Sequence, residues 1–416
     1  MSAWSAAQAE EHLLGLELFG VRFGLERMRR LMTALGSPQR QFASIHVVGT
    51  NGKSSTVRMA AAILERHGLA AGAYVSPHLI SFAERIRIGD RELEPQAFGA
   101  TVQRAARAAA MVNRTLADGE RVTQFELLTA AAYSALAARG VDVAVIEAGL
   151  GGRYDATNVI PSRVQLLTNV GLEHTRWLGP TIADISREKL AVVRDDSTLV
   201  VGALDPAAAA EARAAASAHR ARLVPAPTSW DGGPLAARGA FQRGNFALAR
   251  AAVEAFAGRL DEAAVRAAAA GVAVPGRCEV VGHEPLTILD CAHNPSGARA
   301  LADSLPEVVE GRPVVGVLSI LDDKDAAGML RALLPCCRSV ILTSNRHPRA
   351  LSPATLESLA RQVSSGEPPL ELEPDPQRAL SDARDRAGRD GAVVATGSIY
   401  LVADLVRSSD ARASTL

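Results

Sequence analysis

The stretch Gly49-Thr50-Asn51-Gly52-Lys53-Ser54-Ser55 follows the apolar run Ile45-His46-Val47-Val48 and opens a helical pattern. Its chemistry suits phosphate. Gly49 and Gly52 let backbone N–H groups turn inward, and the helix that follows presents its positive end to the same point. Lys53 would reach the outer phosphates of a nucleotide, and Ser54 or Ser55 would help hold Mg²⁺. The usual pattern has one more glycine where Val47 stands, so this is a variant P-loop.

Three further stretches offer ligands to a phosphate-bound cation. The apolar run Val141–Ile146 ends in Glu147, with Gly149-Leu150-Gly151-Gly152 and Asp155 behind it; Val164–Val170 leads to Gly171-Leu172-Glu173-His174; and Ala71–Val75 ends at Ser76-Pro77-His78-Leu79. Near-continuous apolar runs mark strands buried on both faces of a parallel sheet, which binds ligands beyond its carboxyl ends. Ser76, Glu147 and His174 are therefore expected to converge beside the P-loop. A bare carboxylate at a sheet edge points to a metal ligand. Mg²⁺ prefers oxygen, so His174 is as readily a structural hydrogen-bonder as a ligand, and a plain loop role suits Ser76 better.

Of 45 basic residues only three are lysines: Lys53, Lys189 and Lys324. Arginine cannot be deprotonated in a protein and lysine can, so lysine kept against this background points to places where a neutral amine matters. Lys189 follows the capping sequence Thr181-Ile182-Ala183-Asp184 and shares a helical face with Ile185, Val192 and Val193. A lysine seldom points inward unless paired or chemically changed. Later in the chain, Asp290-Cys291-Ala292-His293-Asn294-Pro295 follows a strand pattern. Asp290 could bond a ribose hydroxyl and His293 could approach phosphates, while Asn294-Pro295 could equally just start a helix. Asp322-Asp323-Lys324-Asp325 suits a solvated charge cluster.

These residues need a frame of alternating strands and helices. A helical lead-in spans residues 6–35, a helix runs from Lys53 to His67 with Gly68 as its stop, and another runs from Gln124 or Phe125 to Arg139. Leu199–Gly202, an Ala-rich helix after Pro206 and Arg222–Val224 continue the alternation, and a helix pair spans Phe241 to about Gly271. Val274-Pro275-Gly276-Arg277 interrupts the pattern, giving domains 1–275 and 276–416. The second domain repeats the alternation, with strands at Thr287–Leu289, Pro313–Ile320, Ser339–Thr343 and Ala392–Ala395. A chain of 416 residues, 48% hydrophobic, can build a core for each. Formal net charge is +0, so neither nucleic acid nor an anionic membrane surface is an expected partner. No secretory leader or membrane-length apolar run is seen, and four scattered cysteines match neither a disulfide framework nor zinc spacing. A cytoplasmic monomer is expected.

In these stretches the chain resembles the folylpolyglutamate synthases and dihydrofolate synthases, the folate branch of the Mur-type ATP-dependent amide ligases. Gly49-Thr50-Asn51-Gly52-Lys53 and Ile146-Glu147-Ala148-Gly149-Leu150-Gly151-Gly152-Arg153-Tyr154-Asp155-Ala156-Thr157-Asn158 match two family signatures in order. The resemblance implies an α/β fold: a P-loop domain with a mainly parallel sheet and a smaller Rossmann-like C-terminal domain for the glutamate and nucleotide side. It implies ATP, two Mg²⁺ ions held through Ser76, Glu147 and His174, and a CO₂-derived carbamate on Lys189. For the nucleotide it implicates Gly49 to Ser55, Asn245 near adenine, Arg277 reaching the phosphates from the hinge, and Asp290 at the ribose; Lys53, Lys189, Arg277 and His293 are the catalytic candidates. For the pterin acid, dihydropteroate or a reduced folate, it implicates Thr123-Gln124-Phe125-Glu126 and Tyr154-Asp155-Ala156, although Gln124 and Glu126 also suit helix capping. The amine is then L-glutamate. Two departures stand out: Ser54 replaces the family's usual glycine, leaving the hydroxyl assignment open between Ser54 and Ser55, and Phe241 replaces a frequent histidine. A non-folate acid and amine pair, or a P-loop switch protein that only hydrolyses nucleotide, are the competing functions.

Overall fold

The computed structural model describes residues 2–17, 24–364 and 366–407. The chain forms two compact units, residues 1–234 with 244–272 and residues 235–243 with 273–416. The sequence suggests one cut after residue 275; the structure sends nine residues, Leu235–Arg243, into the second unit before the chain returns. Side-chain chemistry accounts for the excursion. Phe241 packs on the second unit's core, the Ala240 N–H donates to Ser304 Oγ (3.0 Å), and Arg243 pairs with Glu307 (3.1 Å).

In the first unit the strands are β1 (Ala43–Val48), β2 (Ala71–Tyr74), β3 (Ile86–Ile88), β4 (Arg91–Glu92), β5 (Val143–Glu147), β6 (Val164–Leu167), β7 (Thr198–Val201) and β8 (Arg222–Pro225). Their order across the sheet is β4-β3-β2-β5-β1-β6-β7-β8. All pairings are parallel except those of β3 with β2 and β4. The first strand of the sequence thus lies centrally, between β5 and β6. The chain runs from β1 to β2 on one side and crosses from β5 past β1 to β6 on the other, and the loops after β1, β5 and β6 open side by side at the carboxyl edge.

Several expectations are adjusted. The helical lead-in is two helices, Ala6–Leu14 and Glu26–Ala34; residues 18–23 of that stretch lie outside the described residues. The fourth strand run stops at Leu167, which makes Thr168–Val170 loop. A nineteen-residue helix, Pro95–Asn113, fills a stretch with no expectation, although proline at its first turn after Glu94 is an ordinary start signal.

Helices Ala6–Leu14, Glu26–Ala34, Pro95–Asn113 and Gln124–Ala138 share a core with Tyr74, Ala144 and Ile146. Gln124–Ala138 is apolar nearly all round and correspondingly buried from Leu127 to Leu136. A capping box starts it: Thr123 Oγ1 accepts the Glu126 N–H (3.2 Å) while the Glu126 carboxylate accepts the Thr123 N–H (2.9 Å). Glu126 also accepts from Arg27 Nε (3.1 Å), a pair whose side chains are only 10% and 7% exposed. Truncating Arg27 to alanine would strand a carboxylate in this core, with an expected cost of about 3–5 kcal/mol in urea unfolding. Adding Glu126→Gln should recover part of that loss; a loss under 1 kcal/mol, of the order of an exposed pair, would contradict the burial argument.

The second unit holds β9 (Glu279–His283), β10 (Leu286–Leu289), β11 (Val314–Leu318), β12 (Ser339–Leu342), β13 (Leu370–Leu372) and β14 (Ala392–Thr396). The order is β13-β12-β11-β14-β10-β9, parallel except for β9. Helix Pro295–Val309 contributes Leu301, Leu305 and Val308 to its core, with Met329 and Leu330 from Ala326–Leu333.

Candidate active site

The P-loop is held largely by β6's exit. The Thr50 N–H donates to the Asn169 carbonyl (2.9 Å) and the Asn51 N–H to Asn169 Oδ1 (3.0 Å), while Thr168 Oγ1 and Asn169 Nδ2 donate to the Asn51 carbonyl (2.7 and 3.1 Å). The Gly171 N–H completes the bracing on Thr50 Oγ1 (3.0 Å). Gly49, at φ 151°, sits so close to Thr168 that a Cβ would lie 1.8 Å from Oγ1. Gly52, at φ 80°, ends the loop and heads helix Lys53–Arg66 without a capping side chain. A Cβ there would meet Asn245 Oδ1 at 2.4 Å, so Asn245 lies against the loop. Lys53 Nζ donates to the Thr50 carbonyl (3.0 Å). The bracing roles of Thr168 and Asn169 escaped sequence reading; the polar Thr-Asn pair inside an apolar run was the available signal.

Around Glu147 the expected convergence is found for two strand ends. Glu147 closes β5 at 1% exposure; Ser54 Oγ donates to its Oε1 (3.0 Å) and the Ser76 N–H to its Oε2 (3.0 Å). Ser54, not Ser55, is the hydroxyl facing this carboxylate, and Ser55 Oγ is buried without a partner. His174 comes off β6's loop in a left-handed conformation (φ 52°), 43% exposed in its side chain, with Nε2 3.9 Å from Glu173. Among the described residues no three His, Cys, Asp or Glu side chains cluster as a ready-made metal cage. A single anionic carboxylate with hydroxyl oxygens fits Mg²⁺, which usually arrives with phosphates and waters filling its remaining positions.

Lys189 does point inward. It is 5% exposed on helix Ile182–Leu190, and Nζ donates to the Gly49 carbonyl (2.7 Å). Burial, reinforced by Lys53, brings its pKa down to about 7. An unfolded lysine titrates near 10.5, so folding expels a proton between those values and the residue's contribution to stability rises with pH through that window. The loop after β5 is tied to the same helix: a Cβ on Gly152 would lie 2.5 Å from the Lys189 carbonyl, the Arg153 N–H donates to the Glu188 carbonyl (2.9 Å), and Arg153 pairs with Glu188 (2.8 Å).

The stretches assigned to an acid substrate are mostly committed within the protein. Thr123 and Glu126 form the cap, Gln124 Nε2 donates to the Leu13 carbonyl (2.9 Å), and its N–H donates to the Glu17 carbonyl (2.8 Å). Phe125 packs on Gly149, where a Cβ would approach its ring to 2.6 Å. Asp155 is buried and accepts from the N–H groups of Leu150 (2.8 Å) and Thr157 (3.0 Å); burial raises its pKa against these bonds. Ala156 is buried and Tyr154 is 51% exposed.

In the second unit, Asp290 fastens its own hairpin, accepting from the N–H groups of Cys278 (2.8 Å) and Ala292 (2.7 Å). Burial lifts its pKa and Arg277 opposes the rise. His293 Nδ1 lies 2.9 Å from the Cys291 carbonyl, which can only accept, so Nδ1 carries the proton. Asn294 caps helix Pro295–Val309 by accepting the Gly297 N–H (2.8 Å). The helix-start role of Asn294-Pro295 is therefore observed, while the backbone bonds to Asp290 still leave lone pairs for a further donor.

Comparison with known proteins gives the family. Residues 276–399 match the family model described as Mur ligase, glutamate ligase domain. The dihydrofolate synthase/folylpolyglutamate synthase of Mycobacterium tuberculosis is 38% identical, over 90% of this chain and 84% of its own, and that of Escherichia coli 30% identical, over 95% and 93%. The M. tuberculosis folylpolyglutamate synthase solved with ADP superposes at a TM-score of 0.89 with 34% identity, covering 97% of this chain and 98% of that one. The E. coli FolC complex with DHPP and ADP superposes at 0.85 with 28% identity, covering 96% of each. The chain belongs to the dihydrofolate synthase/folylpolyglutamate synthase family of ATP-dependent glutamate ligases.

Proposed function

We propose that this ligase joins L-glutamate to the carboxylate of a pterin acid, dihydropteroate or a reduced folate, with ATP and Mg²⁺, acting as a cytoplasmic monomer on small molecules. The observation that carries the reading is the Glu147, Ser54 and Ser76 cluster set against a P-loop whose Gly49 carbonyl holds a buried lysine. A carboxylate oxygen of the pterin acid attacks the γ-phosphorus, the bond to the bridging oxygen of ADP breaks, and an acyl phosphate results. The glutamate nitrogen then attacks the acyl carbon and sheds a proton, and phosphate leaves with the C–O electrons. Catalysis of such transfers is positioning and charge stabilisation. The loop amides from Gly49 to Ser55 and Lys53 cradle the phosphates, with Asn245 toward adenine, Asp290 toward the ribose, and Arg277 and His293 toward the phosphates. Ser76, Glu147 and His174, with Ser54, would hold Mg²⁺, which when bound neutralises charge on the transferring phosphoryl oxygens. Thr123, Gln124, Phe125 and Glu126 with Tyr154, Asp155 and Ala156 form the pterin end, Phe125 supplying the apolar ring.

The amine of Lys189, near neutrality and buried, is suited to capture CO₂, exchanging a proton for a carbamate whose oxygens are hard donors. Protein equilibrated with ¹³C-bicarbonate is expected to show a carbamate carbon resonance that grows as pH rises through about 7 and is missing in Lys189→Arg. No such resonance would remove the modification from the mechanism.

Dihydropteroate and tetrahydrofolate offered separately, with ATP and glutamate, test the function. Amide product, ADP and phosphate should appear in equal amounts. Phosphate without amide would support a nucleotide-hydrolysing switch instead.

A further inference from the structure

Behind the pterin end lies a buried polar chain of which only Asp155 belongs to the proposed site. Asp155 accepts backbone N–H groups at both oxygens, so it is the acceptor of the chain, and the Thr157 hydroxyl donates to its Oδ1. With its proton spent there, that hydroxyl must accept from the next group. Thr157 Oγ1 lies 2.8 Å from His46 Nε2, which fixes the imidazole proton on Nε2. Burial, with Arg194 nearby, holds the His46 pKa at about 3, so the ring is a fixed neutral donor. Tyr133 clamps the same residue from another helix, its hydroxyl donating to the Thr157 carbonyl (3.1 Å). His46 and Thr157 are both 0% exposed, and His46 Nδ1 has no hydrogen-bond partner. A bare buried acceptor destabilises a core, and a sequence that keeps one where an apolar side chain would fit violates a packing rule in the way functional sites do.

We infer that His46 and Thr157 are positioning residues for substrate: the Nε2–H pins the Thr157 hydroxyl, and the hydroxyl fixes the Asp155 carboxylate and with it the loop from Gly149 to Ala156. The inference rests on the reading that this loop and Phe125 hold the pterin. His46 lies on β1 two residues from Val48 and the start of the P-loop, yet its hydrogen bond goes to Thr157, beside the Asp155 loop, and not to the P-loop. Disturbing the chain should therefore affect one substrate and spare the other two.

The test is steady-state kinetics of Thr157→Val, which keeps the shape and removes the hydroxyl, beside Thr157→Ser, which restores it. Thr157→Val is expected to raise KM for the pterin acid about tenfold, the worth of one buried hydrogen bond, with KM for ATP and glutamate within about twofold of wild type. Thr157→Ser should return close to wild type. If Thr157→Val does not fold, His46→Phe, which leaves the hydroxyl but unpins it, carries the same expectation with a smaller factor. Equal rises in all three KM values, an unchanged pterin KM, or a serine variant no better than valine would overturn the inference. Phe125→Ala separates the two levels. If it too leaves pterin KM unchanged, the pterin end lies elsewhere and the underlying reading fails; if it raises pterin KM while Thr157→Val does not, only the positioning role fails.

Discussion

Replacing Glu147 by glutamine is expected to lower ligase turnover by on the order of 100- to 1,000-fold, the scale of losing one preorganised electrostatic group. The change keeps side-chain volume at a site 1% exposed, so no cavity opens. What goes is the negative charge and one acceptor, leaving either the Ser54 hydroxyl or the Ser76 N–H without its present oxygen. That structural cost is about 1–3 kcal/mol, well short of unfolding the domain. Steady-state kinetics and urea unfolding on the same sample separate the two effects. If turnover fell only in proportion to the folded fraction, Glu147 would be a structural residue.

Gly49→Ala should be more damaging still to nucleotide binding. A methyl group there would meet Thr168 Oγ1 at 1.8 Å on a backbone with φ 151°, a conformation that costs a residue with a side chain about 1–3 kcal/mol before any collision is counted. The loop must move away from β6's exit, straining the bonds that the Thr50 and Asn51 N–H groups donate to Asn169 and those that Thr168 and Asn169 donate to the Asn51 carbonyl. ATP affinity, followed by calorimetry, is expected to fall by at least about 100-fold, with lower thermal stability. Gly49→Ala with Thr168→Ala should regain part of the affinity, because the oxygen is gone and the backbone strain remains. Full affinity in the single variant would show that the loop does not need its present path.

The pattern of alternating runs made most of this fold legible. β1, β2, β5, β6 and β7 are apolar enough to recognise because both faces are covered, and a carboxylate ending such a run singled out Glu147. Edges were harder. β4, β9 and β13 are short, exposed or mixed in burial, so neither periodicity nor hydrophobicity marks them. The polar Thr168-Asn169 pair was a visible signal, but what it braces depends on β6 lying beside β1, a fact of strand order between residues more than a hundred positions apart. The return of Leu235–Arg243 to the second unit has the same character, since Phe241 looks like any apolar helix residue until its neighbours are known. The inward lysine was legible because Lys189 shares a helical face with Ile185, Val192 and Val193, and the scarcity of lysine drew the eye to it.

That rarity has a practical side. Lys53 is bonded to the Thr50 carbonyl, Lys189 is 5% exposed, and the Lys324 side chain is 14% exposed, so none of the three side-chain amines stands open on the surface. Reagents that couple to amines, whether for cross-linking, immobilisation or fluorescent tagging, find few side chains to attach to. Any labelling that does occur on a side chain lands on Lys53 or Lys189 at the P-loop, or on Lys324 beside Asp323. Amine modification of a side chain in this protein therefore reports on three positions alone, whereas in a lysine-coated enzyme it would be spread over the surface.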